Sequence, residues 1–249
     1  MHPSITPALR AEMAPTGTLR VGLNLSNFLL VTDAHAPSGP MGIAPDIGRA
    51  LAARLGVPVA FVTYPNPGAL AAAASAGAWD VGLIGADPLR AAEIAFTSAY
   101  LEIEASYLVR ADSPIQMLDQ VDRPGVRIAV GDKTAYDMYL RRTLQHATLH
   151  RADGLEGSYQ LFVSQSLDAL AGLRPRLEAD QARLPGSRIL AGRFTAIQQS
   201  IGTPLPRVAA AEFLQAFVNE IRASLVAELI ERHRVAGVSV AGATLNAGL

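Results

Sequence analysis

The sequence predicts an α/β protein made of two similar units, each a mostly parallel sheet flanked by helices. Three observations carry that expectation. From residue 18 onward, short apolar strands alternate with helical crossovers, the pattern of a parallel sheet with helices on its faces. The same pattern starts again after the turn Asp122–Gly125 (DRPG). An extended stretch, Thr97 to Arg110, joins the two runs.

In the first run, TLRVGLNLS (residues 18–26) alternates Leu19, Val21, Leu23 and Leu25 with Arg20, Gly22 and Asn24, the period of two that marks a strand. A loop rich in Pro, Gly and Asp follows, Thr32 to Gly42. Ile43 to Leu55 sets Ile47, Leu51 and Leu55 on one helical face. Asp46 is the expected N-cap of that helix and Gly56 its stop. Val57 to Tyr64 reads as a strand, PNPGALAAAASAGAW as a helix entered through Pro67 and left at Gly77, and Asp80 to Ile84 as a third strand. In GADPLRAAEIAF, Asp87 is the expected N-cap of a further helix, with Pro88 at its first position and Arg90 two residues on.

The second run gives a strand over Val126–Val130, a helix over 134–144, a strand over Ala147–Arg151, a helix over 156–165 and a strand over Leu167–Ala171. After Ala191 the pattern changes. GRFTAIQQSIGTPL is extended, and Val208–Arg222 and Ser224–Arg234 are amphipathic helices with Phe213, Phe217 and Ile221 in one stripe. The tail after Gly237 is small and polar and is expected to fray.

Composition narrows the function. With 249 residues, the chain suits one to two domains and buries a core without staples. It has no cysteine, which excludes a disulfide framework, a thiolate metal site and a cysteine nucleophile. Lys and Arg total 21 against 22 Asp and Glu, without the basic surplus of a nucleic-acid binder. No apolar run approaches the ~18 residues of a spanning helix. The start, MHPSITPALRAEMAPTGTLRVG, lacks a charged segment followed by an apolar one and does not read as a secretory signal. No phosphate-binding or dinucleotide-binding glycine loop occurs, and no Ser/His/Asp constellation is recognisable. His146 and His150 are four apart, but their segment reads as helix end plus strand with no third ligand. No metal, no cofactor and no catalytic residue is expected.

The order of four segments resembles the family 3 extracellular solute-binding proteins, the polar amino-acid receptors of ABC transporters. They are LRVGLN, GIAPDIGRALAARLGVPVAFV, WDVGLIGADPLRAAEIAFTSAY and VDRPGVRIAVGDKTAYDMYL. The resemblance runs from about Leu19 to about Val235, and the third segment is the most specific. It implies a two-lobed, type II periplasmic-binding-protein-like fold with two hinge strands. Lobe one would take residues 1–110 plus 195–249 and lobe two 111–194. A hinge rotation would close the lobes on a ligand at the carboxyl ends of the strands. It also implies a monomer that serves an ABC transporter permease, in the periplasm. The N-terminus disagrees, unless a leader has been cut away, and leaves the cytoplasm open.

The resemblance assigns Arg90 to the ligand's carboxylate, which a planar guanidinium matches with two donors. It places Thr134 and Ala135 at a helix start, where the hydroxyl and free N–H groups seat an anion; Lys133 beside them is a solvated loop charge. Asn24, Ser26, Asn27 and Phe28 follow the first strand, where the family covers its ligand with an aromatic and polar groups. Gly85 and Ala86 stand where serine is common, next to Asp87. In lobe two, the carboxylate that holds an amino acid's ammonium is missing: Gly172, Leu173 or Arg174 occupies its place, followed by Arg176. A carboxylate without an amine, or one with two acidic groups, fits that departure. Glu102, Glu104, Gln198 and Gln199 are further candidates on the hinge strands.

Two other functions stay open. Cyclohexadienyl dehydratases resemble this family, and LDQVDRPGVRIAV is similar to theirs. Such an enzyme needs a carboxylic acid over the leaving hydroxyl, whereas LRPRLEAD puts Arg there and Glu178 further along the helix. The third reading is a cytoplasmic ligand-binding module with the same pocket.

Overall fold

The structure, a computed structural model, describes residues 4–242. A short helix, α1 (Pro7–Met13), comes first, capped by the Thr6 hydroxyl, which accepts from the Leu9 N–H at 3.1 Å. Seven residues carry too little periodicity to announce it. β1 (Leu19–Asn24) leads to α2 (Ile43–Leu55), whose face of Ile43, Ile47, Leu51 and Leu55 is buried. The N-cap of α2 is Gly42, not Asp46. The helix starts four residues earlier than an Asp46 cap would place it, and residue 42 is glycine because a Cβ there would lie 2.4 Å from the Leu30 carbonyl oxygen. Asp46 instead accepts from Arg49 at 2.9 Å and meets His233 Nε2 at 2.8 Å. Gly56 ends α2 in the left-handed region, φ 67°.

β2 (Val59–Tyr64) is followed by α3 (Pro67–Ala72), capped by Asn66. α3 stops well before Gly77. The indole Nε1–H of Trp79 donates to the Leu70 carbonyl at 3.0 Å and turns the chain back toward the sheet. β3 (Val81–Gly85), β4 (Ile94–Phe96) and β5 (Leu101–Arg110) come next. The helix expected after Asp87 is a single 3₁₀ turn over Arg90–Ala92. Ile94 already pairs with Pro204, so the chain has no length left for a second turn.

The following elements are β6 (Arg127–Gly131), α4 (Ala135–Thr143), β7 (Thr148–Ala152), α5 (Gly154–Ser164), β8 (Ala169–Leu173), α6 (Arg174–Arg183) and β9 (Ser187–Ile189). β10 (Thr195–Pro204), α7 (Val208–Ala223), α8 (Leu225–Arg232) and β11 (Val238–Val240) complete the described chain. β11 corrects the expected fraying up to residue 242: the Ala241 N–H donates to the Tyr100 carbonyl at 3.2 Å, and Ala241 is buried. The rest of the tail lies outside the described residues.

The chain is a mixed α/β protein of two lobes and divides into Met1–Glu102 with Gln198–Leu249, and Ile103–Ile197. The crossings between these units fall inside β5 and β10. In the first unit the strand order is β2-β1-β3-β10, with β1 parallel to both neighbours and β10 antiparallel. In the second it is β7-β6-β8-β5, with β6 parallel to both neighbours and β5 antiparallel. The two sheets share one logic. The first crossover leaves the opening strand to one side, and the next returns past it to the other. That makes β1/β3 and β6/β8 the topological switch points, where an open α/β sheet leaves a crevice beyond its carboxyl ends.

Each unit has its own core. Leu70, Ala74, Trp79, Ile84 and Ile94 pack together in the first, and Leu108, Ala129, Tyr159, Phe162, Leu167, Leu170 and Leu177 in the second. Among the described residues no helix is long and apolar enough to cross a membrane.

Candidate functional site

At the switch point of the first unit, β1 and β3 run parallel in register, Val21 opposite Val81 and Leu23 opposite Leu83. The segments Asn24–Phe28 and Gly85–Arg90 therefore emerge side by side from one end of the sheet. Arg90 is held there by its own turn: its N–H donates to the Asp87 carbonyl at 3.0 Å, and Nη1 donates to the Gly85 carbonyl at 2.6 Å. Only 7% of Arg90 is exposed. Burial pulls its pKa down to about 10, and the nearby Asp87 carboxylate pulls it back up, so it stays a cation at neutral pH. A desolvated guanidinium at a strand end gains more from an incoming anion than an exposed one does.

Asp87 is buried, and Oδ1 accepts from the Leu89 N–H at 2.9 Å. It caps a turn rather than a helix. Gly85 lies opposite Gln199 on β10, and the Ala86 N–H donates to the Gln198 carbonyl at 2.8 Å. On the neighbouring segment, Asn24 Oδ1 accepts from both the N–H and the hydroxyl of Ser26, at 3.1 and 2.8 Å. Asn27 is buried, and its Oδ1 has no hydrogen-bond partner. Phe28 is 41% exposed and Leu89 59%, so both stand outside the core as an apolar rim beside the polar groups.

At the switch point of the second unit, Thr134 caps α4 as expected, but its hydroxyl is fully engaged. It donates to the Gly131 carbonyl at 2.9 Å and accepts from the Asp137 N–H at 3.1 Å. The phenol of Tyr136, pushed up to about 12 by burial, also bonds to it. The expected anion seat is thus reduced to backbone: Ala135 starts α4, where the first N–H groups lack intrahelical acceptors. Lys133 sits at φ 57° with an exposed side chain, and its N–H donates to Asp137 Oδ2 at 3.1 Å. Leu173 ends β8 and is buried as the N-cap of α6, with no polar group to offer.

The charged residues near Leu173 are matched within the second unit. Glu104 accepts from Arg174 at 3.0 Å and lies 3.6 Å from Arg193. Arg176 bridges Asp180 and Glu156, at 3.0 and 2.9 Å. The sequence pattern shows the Arg pair but not these partners, which come from other elements. Glu178 is exposed on α6. Among the described residues no group of three or more His, Cys, Asp or Glu can hold a metal ion.

The chain matches the model of the bacterial extracellular solute-binding proteins, family 3, over residues 19–233. No curated protein matches it in sequence. Among solved structures it is similar to holo ArgBP from T. maritima, with a TM-score of 0.66, 22% identity and cover of 90% of this chain and 98% of that one. An ancestral amino acid-binding protein, a precursor of cyclohexadienyl dehydratase, aligns with a TM-score of 0.71, 21% identity and cover of 90% and 97%. The amino acid ABC transporter substrate-binding protein AbpA from Streptococcus pneumoniae, bound to L-arginine, aligns with a TM-score of 0.69, 15% identity and cover of 88% and 95%.

Proposed function

Because this chain belongs to the bacterial extracellular solute-binding proteins of family 3, we propose that it binds a small carboxylate, an amino acid or related organic acid, and delivers it to an ABC-type transporter. The observation that carries this reading is Arg90, a buried guanidinium at the carboxyl end of β3, on the switch point of its sheet. Arg90 takes the ligand's carboxylate. Asp87 and Gly85 fix its turn, Asn24 and Asn27 supply polar groups beside it, and Phe28 covers an apolar part of the ligand. In the second unit, Thr134 positions the Ala135 N–H as a donor, and Leu173 adds apolar lining. The transporter role draws support from the family and from structural relatives described as transporter binding proteins.

Binding without turnover is part of the proposal. Glu104, Glu156 and Asp180, the carboxylates that meet Arg174 and Arg176 just beyond Leu173, are each held by arginine, and Glu178 faces solvent on α6, whereas a dehydratase needs a general acid placed over the leaving hydroxyl. Calorimetry against a panel of amino and organic acids tests the reading. A binder is expected, and Arg90→Ala should weaken it by about 1.5–3 kcal/mol, roughly 10- to 150-fold. A binder indifferent to Arg90→Ala removes the assignment, and turnover of prephenate or arogenate, read by absorbance, replaces it with an enzyme.

A further inference from the structure

We propose that the open edge of the second unit's sheet is a docking groove for an extended acidic segment of a partner protein, which adds a strand to β7 and sets its carboxylates against Arg141 and Arg151. The groove lies within the second unit, and the proposal does not depend on the ligand site. β7 is the last strand of its sheet and pairs with β6 alone. Leu140, Arg141 and Leu144 of α4 and Leu149 and Arg151 of β7 line a groove of about 370 Å³. The backbone of β7 is half used. In its parallel register with β6, Thr148, His150 and Ala152 turn their N–H and C=O groups inward. The Thr148 N–H donates to the Val126 carbonyl at 2.9 Å, and the Ala152 carbonyl accepts from the Asp132 N–H at 2.9 Å. Leu149 and Arg151 alternate with them, so their N–H and C=O groups point to the open edge. Both also line the groove. A partner strand thus finds backbone groups and side-chain contacts at the same two positions, which is what strand addition uses.

Charge gives the partner's chemistry. Residues 141–151, RRTLQHATLHR, hold three Arg, two His and no Asp or Glu, in a chain of net charge -1. Two carboxylates reach this stretch from elsewhere, and both are in use. Asp137 is enclosed and accepts from Arg151 Nε at 2.8 Å and from the Lys133 N–H at 3.1 Å. Asp122 accepts from the N–H groups of Gln145, His146 and Ala147 at 2.9, 2.8 and 2.9 Å. Arg141, exposed in the last turn of α4, has no carboxylate partner among the described residues. Such charges keep a second copy from pairing, because the joined edges would set Arg near Arg. Guarding the edge needs charge alone. The leucines beside it give an apolar floor as well, so the segment that fits alternates acidic with apolar side chains on one face.

The test uses the full chain and a labelled synthetic peptide, acetyl-Gly-Thr-Glu-Thr-Val-Thr-Glu-Thr-Val-Thr-Gly-amide, which when extended puts its Glu and Val side chains on one face. Fluorescence anisotropy should show saturable binding with a Kd below about 1 mM. A copy with Lys for Glu, and a copy N-methylated along its backbone, should each bind at least about tenfold more weakly, the first through charge and the second through lost donors. Arg141→Glu, at an exposed position, should weaken the acidic peptide at least about fivefold and strengthen the Lys copy. Leu149→Pro removes an N–H that β6 does not use and should weaken the acidic peptide too. Amide exchange followed by NMR supplies a readout that needs no variant. The peptide should slow exchange at Leu149 and Arg151 and leave Thr148 and His150, already bonded to β6, as they were. Absence of saturable binding, equal affinity for the Lys or the N-methylated copy, indifference to Arg141→Glu, or unchanged exchange at Leu149 and Arg151 each overturns the proposal. Co-sedimentation with phosphatidylglycerol vesicles by a chain that ignores the peptide overturns it in favour of a membrane surface.

Discussion

Asp80 and Arg90 are both buried ions flanking β3, and their surroundings differ in kind. Asp80, at the amino end, is fully enclosed and accepts from the Arg20 N–H, from Arg20 Nε and Nη2 at 3.0 and 2.7 Å, and from Arg207 at 3.2 Å. Its backbone carbonyl also takes the Thr203 hydroxyl. This carboxylate ties β1, β10 and the start of α7 to one point, and every lone pair has a use. Arg90, at the carboxyl end, is desolvated enough to lose basicity. Asp80 is thus a structural ion, whereas Arg90, held by the Gly85 carbonyl beside Asp87, stands at the end of the sheet proposed to take the ligand. Asp80→Asn keeps the shape but leaves two guanidiniums facing a neutral group, so it should lower stability by on the order of 3 kcal/mol. Urea denaturation checks this as a lower midpoint at constant slope, and a loss under about 1 kcal/mol would show that the network adds little.

At the scale of elements, most of the fold is legible in the chain. A period-two apolar run marks β1, helical stripes mark α2 and α7, and Gly56 and Thr134 mark a stop and a start that the structure retains. The differences arise where a distant partner decides. The turn after Asp87 is short because Ile94 pairs with Pro204, more than a hundred residues away in sequence. β11 and β9, three residues each, have too little pattern to stand out. The candidate site divides in the same way. Arg90 is visible as a motif, whereas the engaged hydroxyl of Thr134 and the orphaned amide of Asn27 are properties of neighbours. Gly202 is another such case. It looks like an ordinary weak spot in a strand, yet a Cβ there would come within 2.4 Å of Ile94 Cγ2. Isoleucine is stiff at χ1, so Gly202→Ala should force β4 away from β10 and lower stability by about 1–3 kcal/mol, read as a fall in Tm.

Across the whole molecule, one arrangement occurs twice: a parallel trio of strands with its switch point between the first and third, closed by an antiparallel strand that belongs to a crossing. The equipment at the two switch points is unequal. The first holds a buried cation, an unpartnered amide and an exposed apolar rim. The second holds a helix start whose capping hydroxyl is already engaged and whose charges are matched internally. If both ends serve the ligand, binding should slow amide hydrogen exchange in Asn24–Phe28 and Gly85–Arg90 and also in Gly131–Ala135, with the Ala135 amide responding most because no helical carbonyl accepts from it. The first unit supplies the charge, so Arg90→Ala should abolish protection at all three segments, whereas Thr134→Ala should loosen α4 by about 1 kcal/mol through loss of its cap and leave the first two segments protected. Exchange followed by mass spectrometry at saturating ligand reads all of these together. Protection confined to the first unit would remove Thr134, Ala135 and Leu173 from the ligand set and leave Arg90 and its neighbours as the whole of the site.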